Sequence, residues 1–386
     1  MKKRIFTLLF IAVFASTVGL GIIEPLMAIY AESLGATGLL IGLIFSSFTI
    51  ARAISTPIVG KLSDHNGRKR FIIGGLVMYT LSSFLYLWAD SVQSLIIVRL
   101  LQGSTSAFVV PIAFAYIGDL APKGREGEYL GTFTMSMFFG LAIGPVIGGV
   151  LNHLYSIDIA FIAMGLLGLF SLLLVGPLLP ELKLHKKTKP ARLREIIKDK
   201  KMQLILLMRF ATSFGVAGFL VFIPLYATNL GLNTAQIGTL VTLNLLVSTL
   251  PQRYFGKVAD RVNKFKMIAL GNIILGTTIF LIPFTWNFTS LLVVNAVMGL
   301  GGALAIPANS ALAAQFGRIH GMGSAMGLLQ TSFAVGMSVG PLIAGLILDF
   351  AGLNMVFVFT STVVVGGSIL FYVVTRRNNH KVESIS

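Results

Sequence analysis

The chain has 386 residues, of which 55% are hydrophobic and only 11% are charged, and its formal net charge is +16. Soluble domains carry roughly 25% charged residues, so this composition excludes a water-soluble globule. The chain contains no cysteine, which excludes disulfide bonds and thiolate metal sites.

Twelve apolar segments follow one another along the chain. Each is close to the roughly 20 residues that a helix needs to cross a hydrocarbon core about 30 Å thick. Lipid offers the backbone no hydrogen-bonding partner, and the segments lack the alternation of a β-barrel, so we predict transmembrane helices. In chain order, spans 1 to 12 cover 5–30, 38–59, 71–89, 94–118, 128–152, 157–179, 203–229, 235–256, 267–286, 289–314, 322–348 and 353–375.

The basic residues are distributed asymmetrically between the loops. Of the 30 lysines and arginines, four lie inside spans, and the other 26 fall on one side if both termini share that side. Cytoplasmic loops carry such an excess, so we predict a plasma (inner) membrane protein with both termini in the cytoplasm and no nucleic-acid partner. Residues 1–18 could also be read as a signal peptide, but cleavage after Ala15 would leave eleven spans and break this charge pattern.

The chain contains an internal repeat with an offset of 196 residues. GLAIGPVIGG (140–149) aligns with GMSVGPLIAG (336–345), and IYAESLGATGLLIG (29–42) aligns with LYATNLGLNTAQIG (225–238). Such a repeat predicts two copies of one six-helix unit, with a binding site near mid-membrane. We therefore expect an N-terminal bundle, a basic cytoplasmic linker and a C-terminal bundle with a short tail, covering 1–179, 180–202 and 203–386.

Three motifs resemble those of the major facilitator superfamily and, within it, the twelve-helix drug/proton antiporters. They are GKLSDHNGRK (60–69) between spans 2 and 3, LIIVRLLQG (95–103) in span 4 and GLAIGPVIGG in span 5. The resemblance implies an all-α protein of two pseudo-symmetric six-helix bundles, which exchanges protons for a small-molecule substrate by alternating access. The match departs from the family at His65, which replaces a usual arginine, and at Asn263, which stands in the second half where Gly67 stands in the first.

Charged side chains inside a membrane are costly and mark functional sites. Glu24 and Arg99 both lie roughly 8–9 Å from the outer ends of spans 1 and 4, by the rise of a helix, so we expect an ion pair or a water-bridged pair. Glu24 is the only acid well inside a predicted span, and the repeat aligns Glu24 with Leu220 and Arg99 with Asn295. We therefore predict that Glu24 and Arg99 couple transport to protons; a static structural ion pair is the alternative.

The resemblance also implies a cytoplasmic latch next to the loop between spans 2 and 3. In the family, an acid at the position of Asp64 caps a helix of the other half, and an arginine at the position of Arg68 pairs with an acid that here is Asp119. Gly60 and Gly67 are expected to permit a tight turn. The alternative is that this loop only makes the turn and sets the topology.

Spans 5 and 11 carry glycines spaced by four, which lie on one helix face and let a neighbouring helix approach closely. Each span also carries a proline, which removes one helical hydrogen bond and permits a bend. We expect both spans to line the interface between the halves; close packing without a gating role is the alternative. The residues concerned are Gly140, Gly144, Pro145, Gly336, Gly340 and Pro341.

Polar side chains inside the spans are candidates for a substrate cavity, although hydrogen bonds between helices would explain most of them equally well. They are Arg52, Gln102, Asn244, Asn295 and Gln330. The chain has no phosphate-binding GxxxxGK[ST] motif, no metal-ligand cluster and no recognisable catalytic group. We therefore expect no cofactor, no metal and no enzymatic activity.

The sequence favours a monomeric, proton-coupled exporter of small hydrophobic or amphipathic compounds. An exporter or flippase of a lipid or a sugar-linked metabolite on the same fold is the first alternative. A membrane sensor or scaffold that transports nothing is an alternative of another class.

Overall fold

The computed structural model describes residues 2–121, 126–181, 199–320 and 322–383. Over these ranges the regular structure is helical throughout, with no strand, and eleven helices are long and apolar enough to cross a membrane. This confirms the predicted all-α membrane fold. Most of the predicted linker, 180–202, lies outside the described residues.

The first half of the chain forms six long helices. A short 3-10 turn, Tyr86–Trp88, follows the third of them. The helices are α1 (Lys2–Ser33), α2 (Gly38–Asn66), α3 (Arg68–Leu85), α4 (Val92–Leu120), α5 (Glu126–Leu154) and α6 (Ile157–Leu178).

The second half repeats this order, including the 3-10 turn, which here is Ile282–Phe284. Its helices are α7 (Lys200–Asn229), α8 (Thr234–Thr249), α9 (Gln252–Arg261), α10 (Lys264–Leu281), α11 (Phe288–His320), α12 (Met322–Ala351) and α13 (Leu353–Glu383).

Predicted span 8 (235–256) is not one continuous helix, which corrects the sequence prediction. The chain turns at Leu250 and Pro251, between α8 and α9. Proline has no N–H for the carbonyl four residues earlier, and its ring clashes with that carbonyl. Helical hydrogen bonds therefore stop at Leu250, which donates to Leu246 at 2.9 Å, and restart at Phe255, which donates to the Pro251 carbonyl at 2.9 Å. Spans 9 to 12 correspond to α10 to α13.

The chain divides into two compact units. The first comprises Met1–Lys187 and Pro224–Thr242, and the second comprises Thr188–Ile223 and Leu243–Ser386. In the first unit, α1 packs against α5 and α6, α2 packs against α4, and α3 packs against α4 and α6. In the second unit, α10 packs against α11 and α13, and α12 packs against the same two helices. The segment Pro224–Thr242, which the repeat assigns to the second half, thus packs within the first unit.

The repeat is visible in three dimensions because equivalent glycines make equivalent contacts. A Cβ atom at Gly140 of α5 would collide with the Thr17 side chain of α1, and one at Gly336 of α12 would collide with Ser213 of α7. The two pairs are related by the offset of 196 residues. The helix pairs α1–α5 and α7–α12 therefore pack in the same way at this position, although their side chains differ.

The glycines of α5 bring that helix into backbone contact with α1. A Cβ atom at Gly144 would meet the backbone of Gly21, and one at Gly148 would meet the backbone of Ile22. Protein interiors have no slack for an extra methyl group against a rigid backbone. The spacing by four therefore makes a smooth face on which α1 and α5 lie closely together.

We predict that Gly148→Ala lowers the free energy of unfolding by about 1–3 kcal/mol, because the added methyl group overpacks the contact with Ile22. Gly131→Ala is the matched control on the same helix, since a Cβ there meets nothing within 4 Å and alanine favours a helix. Thermal unfolding of the detergent-solubilised variants measures both effects. Equal melting temperatures for the two variants would contradict the packing role.

Candidate functional site

Among the described residues of the first unit, Arg99 is the most deeply buried charged residue, with 2% of its surface exposed. It lies on α4, and its guanidinium carbon is 5.0 Å and 5.7 Å from the ring centroids of Phe45 and Phe48 on α2. Gly103 allows α2 to come this close, because a Cβ there would collide with the Phe48 carbonyl. The two rings stabilise the cation away from bulk solvent.

Gln102 connects Arg99 to Tyr86. The Gln102 Oε1 atom accepts hydrogen bonds from Arg99 Nη1 at 3.3 Å and from the Tyr86 hydroxyl at 2.7 Å. Its Nε2 atom donates to Met164 Sδ at 3.5 Å. The sequence analysis placed Gln102 in a possible substrate cavity, but its side chain is fully buried and both ends of its amide are occupied. It therefore lies behind Arg99 rather than on an open wall.

Glu24 faces this network from α1. It is half-buried, and its charge interacts with Arg99 and with Tyr86. The two charges do not form a direct ion pair, and within the described part of the chain the Glu24 carboxylate accepts no hydrogen bond. Arg99 Nε and Nη2 are likewise buried without a partner. The Glu24 carboxylate is thus an unpaired acceptor near two unpaired donors of Arg99. A bridging water or a small rotation of either side chain can connect them by a hydrogen bond.

The predicted cytoplasmic cluster is assembled around Arg68 at the start of α3. Its Nη2 atom lies 2.9 Å from Asp119 Oδ2 and 3.1 Å from Asp64 Oδ1. The side chain of Asp64 is 61% exposed and that of Asp119 is 24% exposed. Gly67 makes the turn between α2 and α3, with a φ of 88° that side chains disfavour. Gly60, which the sequence suggested as a second turn glycine, lies inside α2.

Sequence reasoning missed Glu181, which joins the same cluster from the end of α6. Its carboxylate lies against Gly67 and accepts the backbone N–H of Lys69 at 3.4 Å. The neighbouring Pro180 carbonyl accepts the Tyr116 hydroxyl at 2.6 Å. A carboxylate at a helix N-terminus is favoured by the helix dipole. The first residues of the predicted linker are therefore fastened to α3 and α4.

A second face of α5 packs against the segment Pro224–Thr242. The Thr234 hydroxyl donates to the Gly149 carbonyl at 3.0 Å and accepts from Asn152 Nδ2 at 3.3 Å. The Val146 N–H, next to Pro145, lies 3.1 Å from Thr242 Oγ1 and donates to it. We refer to these three hydrogen bonds as the α5 clamp.

Glycines on both sides permit this approach, as a Cβ at Gly149 would collide with the Thr234 carbonyl and one at Gly238 with the Pro145 carbonyl. The predicted residues Gly140 and Gly144 do not belong to the clamp, because they face α1. In the second unit, Gly336 and Gly340 face α7 in the same way, and Pro341 lies within α12.

The remaining predicted cavity residues are not all alike. Asn244 Nδ2 donates to the Asn295 carbonyl at 2.9 Å, so this buried pair joins α8 to α11. Gln330 is exposed. Arg52 lies in the middle of α2, is half-buried and has no side-chain partner among the residues that the structure describes. The Asn244 side chain therefore serves a contact between helices, and the Asn295 amide donates within its own helix to the Leu291 carbonyl at 3.1 Å. Arg52 and Gln330 keep accessible surface.

Comparison with known proteins agrees with this architecture. The family model described as Major Facilitator Superfamily matches residues 9–234 and 205–385. The chain is 34% identical over 376 residues to an uncharacterized MFS-type transporter of Methanocaldococcus jannaschii, covering 95% of this chain and 97% of the relative. It is 27% identical over 358 residues to the quinolone resistance protein NorA of Staphylococcus aureus, covering 90% and 91%.

Among solved structures, the chain is similar to a bacterial homologue of the human lysosomal transporter Spinster in an inward-facing, occupied conformation. The TM-score is 0.84, with 13% sequence identity and 96% of each chain covered. At this identity the similarity concerns the fold.

We predict that Asp119→Asn destabilises the protein more than Asp64→Asn. Asp119 is the better-buried of the two carboxylates that contact Arg68, and losing a buried partner costs more than losing an exposed one, which contributes about 1 kcal/mol or less. Thermal unfolding of the two variants against wild type provides the measurement. A larger loss in Asp64→Asn would show that Arg68 depends on the exposed carboxylate instead.

Proposed function

This chain belongs to the Major Facilitator Superfamily, and we propose that it is a proton-coupled antiporter that exports small hydrophobic or amphipathic compounds. It is a multi-pass membrane protein and a transporter, not an enzyme. The observation that carries the proposal is Glu24, a half-buried carboxyl group away from both ends of α1 that faces an arginine without pairing with it.

The name of one relative and the distribution of the basic residues both support export as the direction of transport. NorA, which aligns with nine tenths of this chain, is named for quinolone resistance, and resistance by a transporter is most simply obtained by export. The basic residues favour a cytoplasmic location of both termini. In a bacterial or archaeal cell we propose the plasma membrane as its location, where the proton gradient runs inward and can drive a compound outward.

The chemistry of coupling follows from the two protonation states of Glu24. When Glu24 is ionised, its charge attracts Arg99; when it is protonated, that attraction is lost. A carboxyl group in this position therefore changes the local force on α1 and α4 each time a proton binds or leaves. Because Glu24 keeps accessible surface and has no hydrogen-bonding partner in the described structure, a proton can reach it without first breaking a contact.

Two groups of polar contacts lie at opposite ends of the first unit and are suited to act as gates. The Arg68 cluster lies at the C-terminal ends of α2 and α4, and the α5 clamp lies near the C-terminal end of α5, which runs the other way. We assign the cluster to the cytoplasmic side and the clamp to the outer side. Alternating access then requires each group to break in turn.

We predict that Glu24→Gln abolishes proton-driven efflux while substrate binding persists, because glutamine keeps the shape of the side chain but cannot take up a proton. Quinolone efflux against its gradient from proteoliposomes, driven by an imposed pH difference, is expected to fall about tenfold or more. Glu32→Gln is the control, since Glu32 lies exposed at the end of the same helix. Uphill transport that survives Glu24→Gln unchanged would remove this residue from the mechanism.

The α5 clamp generates a separate prediction. Thr242→Val removes the acceptor of the Val146 N–H and is expected to shift the protein toward states in which the outer side is open. Thr239→Val is the matched control, because the Thr239 hydroxyl bonds within its own helix to Ala235 at 2.8 Å. Spin labels placed at the outer ends of α5 and α8 report the distance change; identical distance distributions in the two variants would argue against a gate.

A further inference from the structure

We propose that Tyr86 and Gln102 are positioning residues of the coupling site, which hold Arg99 close to Glu24 but prevent the two charges from collapsing into a fixed ion pair. This inference rests on the proposed role of Glu24 in proton coupling. Neither residue touches the proton itself. Both act through the guanidinium of Arg99.

The hydrogen-bonding capacity of the groups fixes how they are connected. Arginine offers only donors, so the oxygen end of the Gln102 amide must face Arg99. A carbonyl oxygen has two acceptor positions, and the Tyr86 hydroxyl takes the second one at 2.7 Å. The hydroxyl therefore prevents Gln102 from rotating its amide nitrogen toward Arg99. Arg99 Nη1 is held at 3.3 Å from an acceptor whose orientation is fixed.

The far end of this chain of contacts is anchored to α6. The Tyr86 ring stacks on Phe161 with centroids 5.0 Å apart and an angle of 20° between the planes. Gln102 is held on its other side by Met164. Tyr86, Gln102 and Phe161 are all fully buried. Arg99 is thus linked through Gln102 and Tyr86 to buried residues of α6, while its Nε and Nη2 groups remain without partners.

The internal repeat shows that the fold does not need these polar groups. At the offset of 196 residues, Tyr86 corresponds to Ile282 and Gln102 to Met298, and both equivalents are buried. Ile282 lies in the second 3-10 turn, as Tyr86 lies in the first. The equivalents of Arg99 and Glu24 are Asn295 and Leu220.

Four polar or charged groups that converge in the first unit are therefore replaced together in the second, within the same backbone architecture. A network required only for folding would be expected in both copies. Its presence beside Glu24, an acid that accepts no hydrogen bond within the described ranges, instead indicates a role in what that acid does.

The linkage of Arg99 to α6 has a specific consequence for coupling. A guanidinium released from Gln102 is free to turn its unpartnered N–H groups toward Glu24 and form a direct, charge-assisted pair. Such a pair would hold the carboxyl group ionised and resist the proton uptake that each cycle needs. Positioning by Gln102 keeps the two groups within electrostatic range and leaves Glu24 free to exchange its proton.

The test compares Tyr86→Phe and Gln102→Met, the second being the substitution that the repeat itself makes. Tyr79→Phe is the control, because the buried Tyr79 hydroxyl donates to the Ser16 carbonyl at 3.0 Å, away from Arg99. The first readout is the pH dependence of Glu24 labelling by dicyclohexylcarbodiimide in the purified full-length protein, with Glu24→Gln identifying the signal. The second is norfloxacin efflux from proteoliposomes, uphill under a pH difference and downhill without one.

We expect Gln102→Met and Tyr86→Phe to shift the pH of half-maximal Glu24 labelling and to reduce uphill efflux about tenfold, with downhill efflux within about twofold of wild type. Tyr79→Phe should change neither quantity. Labelling profiles that coincide with wild type in both test variants would overturn the proposal. So would uphill and downhill efflux that fall together, because that result describes damaged packing.

Failure of the proposed function is distinguishable from failure of this inference. If uphill efflux survives Glu24→Gln while the labelling profile still shifts in Gln102→Met, the linkage is real but proton-coupled export is not its purpose. If Gln102→Met does not fold, the labelling profile of Tyr86→Phe decides, since that change removes one hydroxyl group and leaves the ring stacked on Phe161.

Discussion

A guanidinium group in the apolar interior of a membrane protein needs neighbours that replace its hydration. The residues around Arg99 do so without cancelling its positive charge. Two aromatic rings and one amide oxygen replace part of its hydration. The carboxylate of Glu24, which interacts with Arg99, forms no ion pair with it in the part of the chain that the structure describes. Because the groups around Arg99 are neutral, its positive charge is not cancelled. In the proposed mechanism, the electrostatic field of this charge makes the force on the surrounding helices depend on the protonation state of Glu24. The same burial explains why α2 and α4 must pack closely here, which Gly103 permits.

The repeat separates what the fold requires from what transport requires. Two glycine contacts between α1 and α5 recur between α7 and α12, at Gly140 and Gly336 and at Gly144 and Gly340, because helices that approach backbone to backbone leave little room for a side chain. The third contact glycine, Gly148, corresponds to Ala344. The polar groups around Arg99 do not recur in this way. Where the first copy carries Arg99 over Phe48, the second carries Asn295 bonded to Asn244. Both copies thus share one scaffold, while the pair of Glu24 and Arg99 is present in the first copy and replaced by Leu220 and Asn295 in the second.

Sequence reasoning reached the fold and the identity of the charged residues, but not their immediate partners. Apolar length predicts spans reliably because lipid thickness sets it, although Pro251 interrupts one span where the apolar pattern alone shows no break. Asn263 stands where the first half carries Gly67, and its geometry explains the exchange. At Asn263 φ is −66° and the side chain accepts two N–H groups at the start of α10, so this turn needs no glycine. The contacts of Gln102 and Glu181 depend on helices distant in sequence, which no local pattern records.

The two faces of α5 differ in the free energy that is needed to separate each face from the segment packed against it. The glycine face lies against the backbone of α1 over three turns, and such packing cannot slide without opening voids along its whole length. The α5 clamp consists of three neutral hydrogen bonds, each with a net worth of about 0.5–1.5 kcal/mol. One elementary charge moving across a membrane potential releases about 2.3 kcal/mol per 100 mV. Under the proposed proton coupling, the clamp is weak enough for a single proton to help break it, whereas the glycine face is not. Movement is then expected between α5 and the segment Pro224–Thr242 rather than between α5 and α1.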